Sequence, residues 1–473
     1  MPAFCTRLTW TLFAISGAAL VAHATIGIDV SLSSLLHIDG LTVVMAAVIT
    51  FVSGIIHSFA RRYMAGSEHL GRFYGRLLAL TLVVLLVTAA DQLVLFAVAW
   101  TVMGWLLADL IGTIEGWPQA QAAAQRARWS FLGGSVLLAG ALAALAQFTG
   151  ATTITGVLDA LPTVSTWGVA TAAGLLVVTA MVQSALVPFQ SWLLSSMTAP
   201  TPVSAFMHAG LVNAGGLLLA RFAPVVAELP AVMLGIAVAG ALSALLAQGW
   251  MLVQTDVKRQ LGCSTVAQMG FMVLQCGLGF FAAAIAHLIL HGFYKAYLFL
   301  ASGSVVEAKR PPNDAVGGAS WAALPVTLGT GLLGGALFAW LTGKSLTTLD
   351  GSMLLTVVVV IAILHATKTV LHTSGLGAAT RALAVPLIVL PALALYAAVY
   401  NGIAALTTDL PMAVAPAEGS IVHGVLGGLF VLAYVAVERG WHRASPRLYV
   451  ALLNMSQPDP ATLLNRRHQY HAH

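Results

Sequence analysis

Histidine and lysine stand in this chain at positions where an apolar helix rarely carries them. In the run HLILHGFYKAYLFLASGS, from His287 to Ser304, the residues His287, His291 and Lys295 are spaced i, i+4, i+8. That spacing puts all three on one helix face within about 12 Å. An ionisable group inside a membrane span costs about 3 kcal/mol or more and usually faces the bundle interior or a wet cavity. Such a row suits a switchable proton site. In the alternative reading the histidines are hydrogen-bonded core groups that hold helices together. No carboxylate or cysteine accompanies the HxxxH pair, so zinc is a poor fit.

His208 lies about two turns into the helix of MTAPTPVSAFMHAGLVNAGG, after Pro200 and Pro202. The segment before it, VQSALVPFQSWLLSSM, is interrupted at Pro188, and broken helices in membranes line cavities or ion sites. A buried structural histidine is the other reading. Three more basic residues need placing. Lys344 follows a Thr-Gly pair near a span end, Lys368 sits just over a turn from a span end and reads equally as an anchor or a relay, and Arg221 reads as a snorkelling side chain.

The elements that hold these residues must be membrane helices. Of 473 residues 59% are hydrophobic and 8% charged, against about 25% charged in a soluble domain. The mean hydropathy is +0.92. This excludes a cytosolic enzyme, and scattered basic residues without interleaved aromatics exclude nucleic acid as a partner. The expected fold is an all-α integral membrane protein of about 14 transmembrane helices, since lipid offers no partner to free backbone groups. Cys5, Cys263 and Cys276 have no metal or disulfide spacing.

When the spans are threaded back and forth, all but four of the 21 basic residues fall on one side. The other side receives Asp29, Asp159, Glu228, Asp350, Asp409 and Glu418. The positive-inside rule then puts both termini in the cytoplasm. The expected organisation is N-terminal spans over 1–73, a five-helix repeat over 74–223, an inverted five-helix repeat over 230–373, C-terminal spans over 374–438 and a cytoplasmic tail over 439–473. Each repeat has an interrupted member, around Gln183 to Pro188 and around Thr342 to Ser345, and paired interruptions in inverted halves point to a transport site at the midplane. Thr201 to Ala223 reads as one span. A break beside Lys344 would let it reach the bundle centre, although plain hydropathy leaves it near the end.

The stretches IDGLTVVM (Ile38 to Met45), IIHSFARRYM (Ile55 to Met64), VPFQSWLLSSMTAPTPVSAFMHAG (Val187 to Gly210), VQTDVKRQLGCSTVAQMGFM (Val253 to Met272) and HLILHGFYKAYLFLASGSV (His287 to Val305) resemble the antiporter-like proton-translocating subunits. These occur in respiratory complex I, in multi-subunit Na+/H+ antiporters and, as the DabB-type subunit, in the DAB inorganic carbon pump. The resemblance covers roughly residues 38–373. It implies two inverted half-channels, with protons passing by Lys344 in the second, by His287, His291 and Lys295 in the linking helix, and by His208. The first half departs from the family pattern. Thr101, in AWTVMG, stands where the family has glutamate, and Gln183, in VQSALVP, where it has lysine.

This alteration and the short ends fit the DabB type better than a respiratory subunit with its lateral helix. The resemblance therefore implies a proton- or cation-conducting subunit, itself no enzyme, in an inner-membrane CO2/bicarbonate uptake complex of a bacterium. Its partner would be a large cytoplasmic subunit like β-carbonic anhydrase, holding the zinc. This chain would carry no cofactor, and His468, His471 and His473 in the tail are read as solvated. The alternatives are a complex I or hydrogenase-type pumping subunit and a subunit of a multi-subunit Na+/H+ antiporter. H+ and Na+ both stay open as the cation.

Overall fold

The computed structural model describes residues 1–163, 165–303, 323–348, 350–373, 378–407 and 416–463. Within them the chain is a bundle of antiparallel helices: α1 (Pro2–Ile26), α2 (Gly40–Tyr63), α3 (Leu70–Ala89), α4 (Leu93–Ile111), α5 (Pro118–Thr149), the short α6 (Ile154–Ala160), and α7 (Thr166–Gln183). Then come α8 (Ser191–Ser195), α9 (Thr201–Ala209), α10 (Ala214–Arg221), α11 (Ala223–Ala227), α12 (Pro230–Leu252), α13 (Val257–Gly277) and α14 (Phe281–Leu300). The described part closes with α15 (Ala323–Leu341), α16 (Gly351–Thr373), α17 (Ala378–Leu406), α18 (Ile421–Glu438), α19 (Trp441–Ala444) and α20 (Pro446–Met455). A two-stranded hairpin, β1 (Val30–Leu32) with β2 (Leu36–Ile38), joins α1 to α2.

Among the described residues 11 helical stretches are long and apolar enough to cross a membrane, the pair α9 and α10 counting as one of them. Shorter apolar lengths of α15 and α16 add to them, and the polar α13 packs within the bundle. The protein is a multi-pass membrane protein. The two ends of the bundle differ in charge. Arg61, Arg62, Arg72, Arg76, Arg126, Lys258 and Arg439 mark one face, and Asp29, Asp39, Asp91, Asp159, Glu228 and Asp350 the other. On the basic face Asp109, near the end of α4, is held between Arg128 at 2.6 Å and Arg76 at 3.5 Å. Exposed tryptophans lie at both levels, Trp105 and Trp129 toward the basic end and Trp167 at the acidic start of α7, as amphipathic rings at membrane borders do.

Helices approach closely where side chains are small. The α12–α13 hairpin meets at Gly240 and Gly270, where a Cβ on Gly270 would stand 2.5 Å from the Ala244 backbone nitrogen. The expected interruption around Gln183 to Pro188 is present, since α7 stops at Gln183 and Ala185 takes a left-handed φ of 52°. The stretch from Thr201 to Ala223 is not one helix. It stops at Gly210, passes through a 3-10 turn at Leu211–Asn213 and resumes as α10. Around Lys344 the chain leaves the helix altogether after Leu341 and turns into α16. At the basic face the chain after α18 is folded. α20 packs on α12, Gln254 Nε2 donates to Ser456 Oγ at 2.8 Å, and the Asp459 amide donates to Ser195 Oγ at 3.3 Å.

Candidate functional site

The broken helices of the first half are held by neutral side chains. A helix that stops inside a membrane leaves carbonyls that need donors. Gln183 Nε2 donates to Leu211 O at 3.0 Å, Ser184 Oγ to Val212 O at 2.9 Å, and Asn213 Nδ2 to Ala209 O at 2.9 Å. Thus the α7 break satisfies the α9–α10 break. Gln183 is 3% exposed and acts here as a strut. Thr101 spends its hydroxyl hydrogen on Ala97 O of its own helix at 2.8 Å. The two altered positions each hold an uncharged donor bonded to a backbone carbonyl, within its own helix at Thr101 and across to the next break at Gln183.

One helix of the second half, α14, carries three buried protonatable groups in a row. His287, His291 and Lys295 lie on the buried side of α14, six, ten and fourteen residues past Phe281. At 1.5 Å per residue they stand about 9, 15 and 21 Å from its acidic-face end. The rings of His287 and His291 stack at 5.7 Å with an interplanar angle of 15°. Gly292 lets α9 come against this helix, since a Cβ there would lie 2.5 Å from Ala209 O. The approach places His208, fully buried, over the Phe299 ring at 4.2 Å.

His208 and Lys295 meet through α13. Lys295 Nζ donates to Leu261 O at 3.1 Å, Thr265 Oγ1 donates to the same carbonyl at 2.9 Å, and His208 Nδ1 lies 3.0 Å from Thr265 Oγ1. The threonine has one hydrogen to give. With it directed to Leu261 O, His208 donates from Nδ1 and keeps Nε2 as a bare acceptor. Among the described residues no group hydrogen-bonds His208 Nε2, His287 Nε2 or either nitrogen of His291. Buried polar atoms normally have partners; each neutral imidazole carries one N–H and one bare nitrogen, so His291 has a donor and an acceptor both unpartnered, as relaying a proton requires. No carboxylate forms an ion pair with Lys295 or Lys344 among the described residues.

Lys344 stands apart from this row. Its Nζ lies 4.3 Å from the Phe280 ring centre, 4.5 Å from that of Tyr400 and 5.7 Å from that of Phe338. Its single hydrogen-bond partner among the described residues is the Tyr400 hydroxyl at 3.4 Å. Phe280 belongs to the α13–α14 turn, so Lys344 sits at the acidic end of the bundle and not at its centre. Among the described residues no second half-helix carries it inward. The side chain of Lys368, in α16, lies outside the described residues, as do His468, His471 and His473.

Arg221 has the structural role near the outer end of its helix that the sequence suggested, but through an ion pair, and the middle of the site was missed. Arg221 does not snorkel. It pairs with Asp39 and donates to Thr42 Oγ1 at 3.1 Å and Thr88 O at 2.6 Å. Burial pushes the Asp39 carboxyl up, but the Arg221 guanidinium and the Thr42 amide and hydroxyl outweigh it and hold the group below its ordinary 3.8. A cavity of about 370 Å³ opens beside this pair, among Asp29, His37, Asp91 and Asp159. Thr265, Gln275, Tyr396 and Tyr400 gave no signal in the sequence, because single hydroxyls and amides in apolar runs look like helix-internal bonding. No set of three or more His, Cys, Asp or Glu among the described residues is grouped to hold a metal ion.

Two family models match the chain. One, described as "NADH:quinone oxidoreductase/Mrp antiporter, TM", covers residues 90–329, and one described as "NADH-Ubiquinone oxidoreductase (complex I), chain 5 N-terminus" covers residues 25–74. A Halothiobacillus neapolitanus protein described as "Probable inorganic carbon transporter subunit DabB1" is 40% identical over 285 residues, 58% of this chain and 50% of that one. The NADH-quinone oxidoreductase subunit L of Mycobacterium tuberculosis is 38% identical over 302 residues, 62% of this chain and 47% of that one. The match thus spans about half the length of these relatives. Among solved structures, a chain of the Mrp complex from Dietzia sp. DQ12-45-1b superimposes with a TM-score of 0.58 at 26% identity, over 96% of this chain and 50% of that one.

Proposed function

Because the chain belongs to the NADH:quinone oxidoreductase/Mrp antiporter membrane family, we propose that it is the proton-conducting membrane subunit of an energy-coupled inorganic carbon uptake complex. The observation that carries the conducting role is the row His208, Lys295, His291 and His287, buried in one polar line with unpartnered ring nitrogens and no carboxylate to fix its charge. A fixed ion pair stores a proton, whereas a cation held only by a carbonyl and neutral neighbours can release it.

The carbon-uptake assignment is supported by the 40% identity to a protein described as a probable inorganic carbon transporter subunit. On this reading the partner is a large cytoplasmic zinc subunit like β-carbonic anhydrase, and the zinc chemistry of CO2 hydration is the partner's. The residues of this chain move the cation: Lys344 at the acidic face, the α14 row through the membrane, and His208 with Lys295 toward the basic face. The complex would sit in the inner membrane of a bacterium, with the basic face and both termini in the cytoplasm. A second reading is favoured by the 38% identity to subunit L and by the Mrp superposition. It is a pumping subunit of a complex I or hydrogenase-type machine, or a multi-subunit antiporter subunit.

The test is affinity capture of the tagged full-length protein from detergent-solubilised membranes, with mass spectrometry and zinc analysis of what comes with it. One large zinc-containing partner is the expected result, together with near-complete loss of bicarbonate accumulation in Lys344→Ala and Lys295→Ala. Capture of several small membrane subunits or of quinone-linked partners would replace the carbon-uptake reading with the second one. Full uptake in both lysine variants would refute conduction through these residues.

A further inference from the structure

The α14 row ends at His287, and Lys344 lies at the acidic end of the bundle beside Phe280. Between them stand three polar side chains from helices that the family-model match, which stops at residue 329, covers only in part. Tyr400 on α17 accepts from Lys344 Nζ at 3.4 Å. One turn deeper on the same helix, Tyr396 presents its hydroxyl to α13, where Gln275 Nε2 donates to it at 3.4 Å. Residues i and i+4 on a helix share a face, so the two hydroxyls follow one another along α17. Gln275 is 1% exposed, and its Oε1 has no hydrogen-bond partner among the described residues. One turn further along α13, Phe271 packs edge-on to His287 with ring centres 5.3 Å apart.

We propose that Tyr400 and Tyr396, with Gln275 as the residue that positions Tyr396, form the segment of the proton path between Lys344 and the His287, His291 and Lys295 row. The proposal rests on the conducting function above. Each hydroxyl takes a proton on an oxygen lone pair and gives up the hydrogen it already carried, so no phenolate forms and the chain of bonds ends as it began, reoriented. Because Gln275 donates to the Tyr396 oxygen, the hydrogen of that hydroxyl stays free to point along the path. A water held by the unpartnered amide oxygen of Gln275 takes the hydrogen of the Tyr396 hydroxyl and gives one of its own to His287, spanning a gap of about one helical turn, roughly 6 Å. With Gln183 and Thr101 engaged in neutral bonds to backbone carbonyls, these groups make one line from the acidic face to His208. It runs down α17 and α14 instead of crossing between two halves.

The experiment uses inverted membrane vesicles from cells producing the full chain with its native partners, and reads the decay of an imposed pH gradient with a fluorescent dye. Phenylalanine variants keep the rings, including the Tyr396 contact with Phe338 at 6.2 Å, and remove only the oxygens. Tyr396→Phe and Tyr400→Phe should each slow the decay on the order of tenfold, the cost of one unmade buried hydrogen bond at the barrier. The double variant should be slowed roughly twentyfold, since resistances in series add, and not the roughly hundredfold of two independent effects on one barrier. Gln275→Met should slow the wild type and add nothing in the Tyr396→Phe background, a coupling that a purely structural role would not produce. Tyr396 makes no hydrogen bond to Lys344, so its effect separates relaying from mere placement of the lysine. A wild-type rate in Tyr396→Phe, with Lys344→Ala arrested, overturns this segment and leaves the function standing. Wild-type rates in both Lys344→Ala and Lys295→Ala remove the conducting function and this segment with it.

Discussion

At the scale of single residues, the site depends on which atom owns which hydrogen. Thr265 gives its hydrogen to Leu261 O and receives one from His208 Nδ1, so it fixes the imidazole with Nε2 bare. Replacing it with the isosteric valine should leave helix and packing intact and release the ring to either tautomer. We expect Thr265→Val to lower proton movement about tenfold, on the scale of one buried hydrogen bond, and Thr265→Ser to restore it, both measured by gradient decay in vesicles. Unchanged rates in Thr265→Val would show that His208 needs no such orientation. The row on α14 was legible because three basic groups at i, i+4, i+8 in an apolar helix have few explanations. Thr265 was not, because a threonine bonded to its own i−4 carbonyl is the commonest state of a hydroxyl in a membrane helix. Tyr396 was equally silent, since an aromatic ring in a span reads as core until its oxygen is seen to meet Gln275.

Elements meet at two kinds of junction, breaks and locks, and the sequence announced them unequally. The break after Gln183 carried a proline five residues on, and the end of α15 a glycine. The break between α9 and α10 carried only Gly210, and its unpaired carbonyls are satisfied by Gln183 and Ser184, 28 residues away in the chain. No local pattern records a donor that distant. The lock on the acidic face joins three helices. Asp39 caps α2, Arg221 closes α10, and Thr88 O lies at the end of α3. Removing one member of a buried pair leaves the other uncompensated, at a cost of about 3 kcal/mol. Arg221→Gln should therefore lower the melting temperature of the solubilised protein markedly, and Asp39→Asn with Arg221→Gln together by less than the sum of the singles. The pH dependence has a definite sign. Because the folded-state Asp39 carboxyl lies below its ordinary 3.8, its contribution is complete above that value and is lost only as pH falls through the lower, folded-state one. Melting curves between pH 7 and 5 should show no loss from this lock, and a loss in that window that disappears in Asp39→Asn would contradict the assignment.

For the whole molecule, charge asymmetry sets orientation, and the fold ties the chain's later residues back beneath the bundle. The proposed orientation predicts that reporters fused after Met455 and within the Arg61 to His69 turn are active only in the cytoplasm, while one placed in the turn before α12, near Glu228, is active only outside. The opposite pattern would invert the path and make Lys344 its inner end. Composition alone made the membrane class legible, since 8% charged residues cannot clothe a soluble core of this size. The relative depth of Lys344 was legible from hydropathy, while the side-by-side arrangement of α13, α14 and α17 that frames the path required the folded bundle. Gln183 has one more consequence, which concerns work and not structure. A neutral strut in place of a cation takes one charged group out of the membrane interior, so the work available comes from the charges that cross and not from charges stored at this break. At about 2.3 kcal/mol per charge for each 100 mV, each crossing at that potential supports a coupled accumulation of roughly fiftyfold, so on the function proposed here the number of charges moved per product sets how far the voltage can concentrate it.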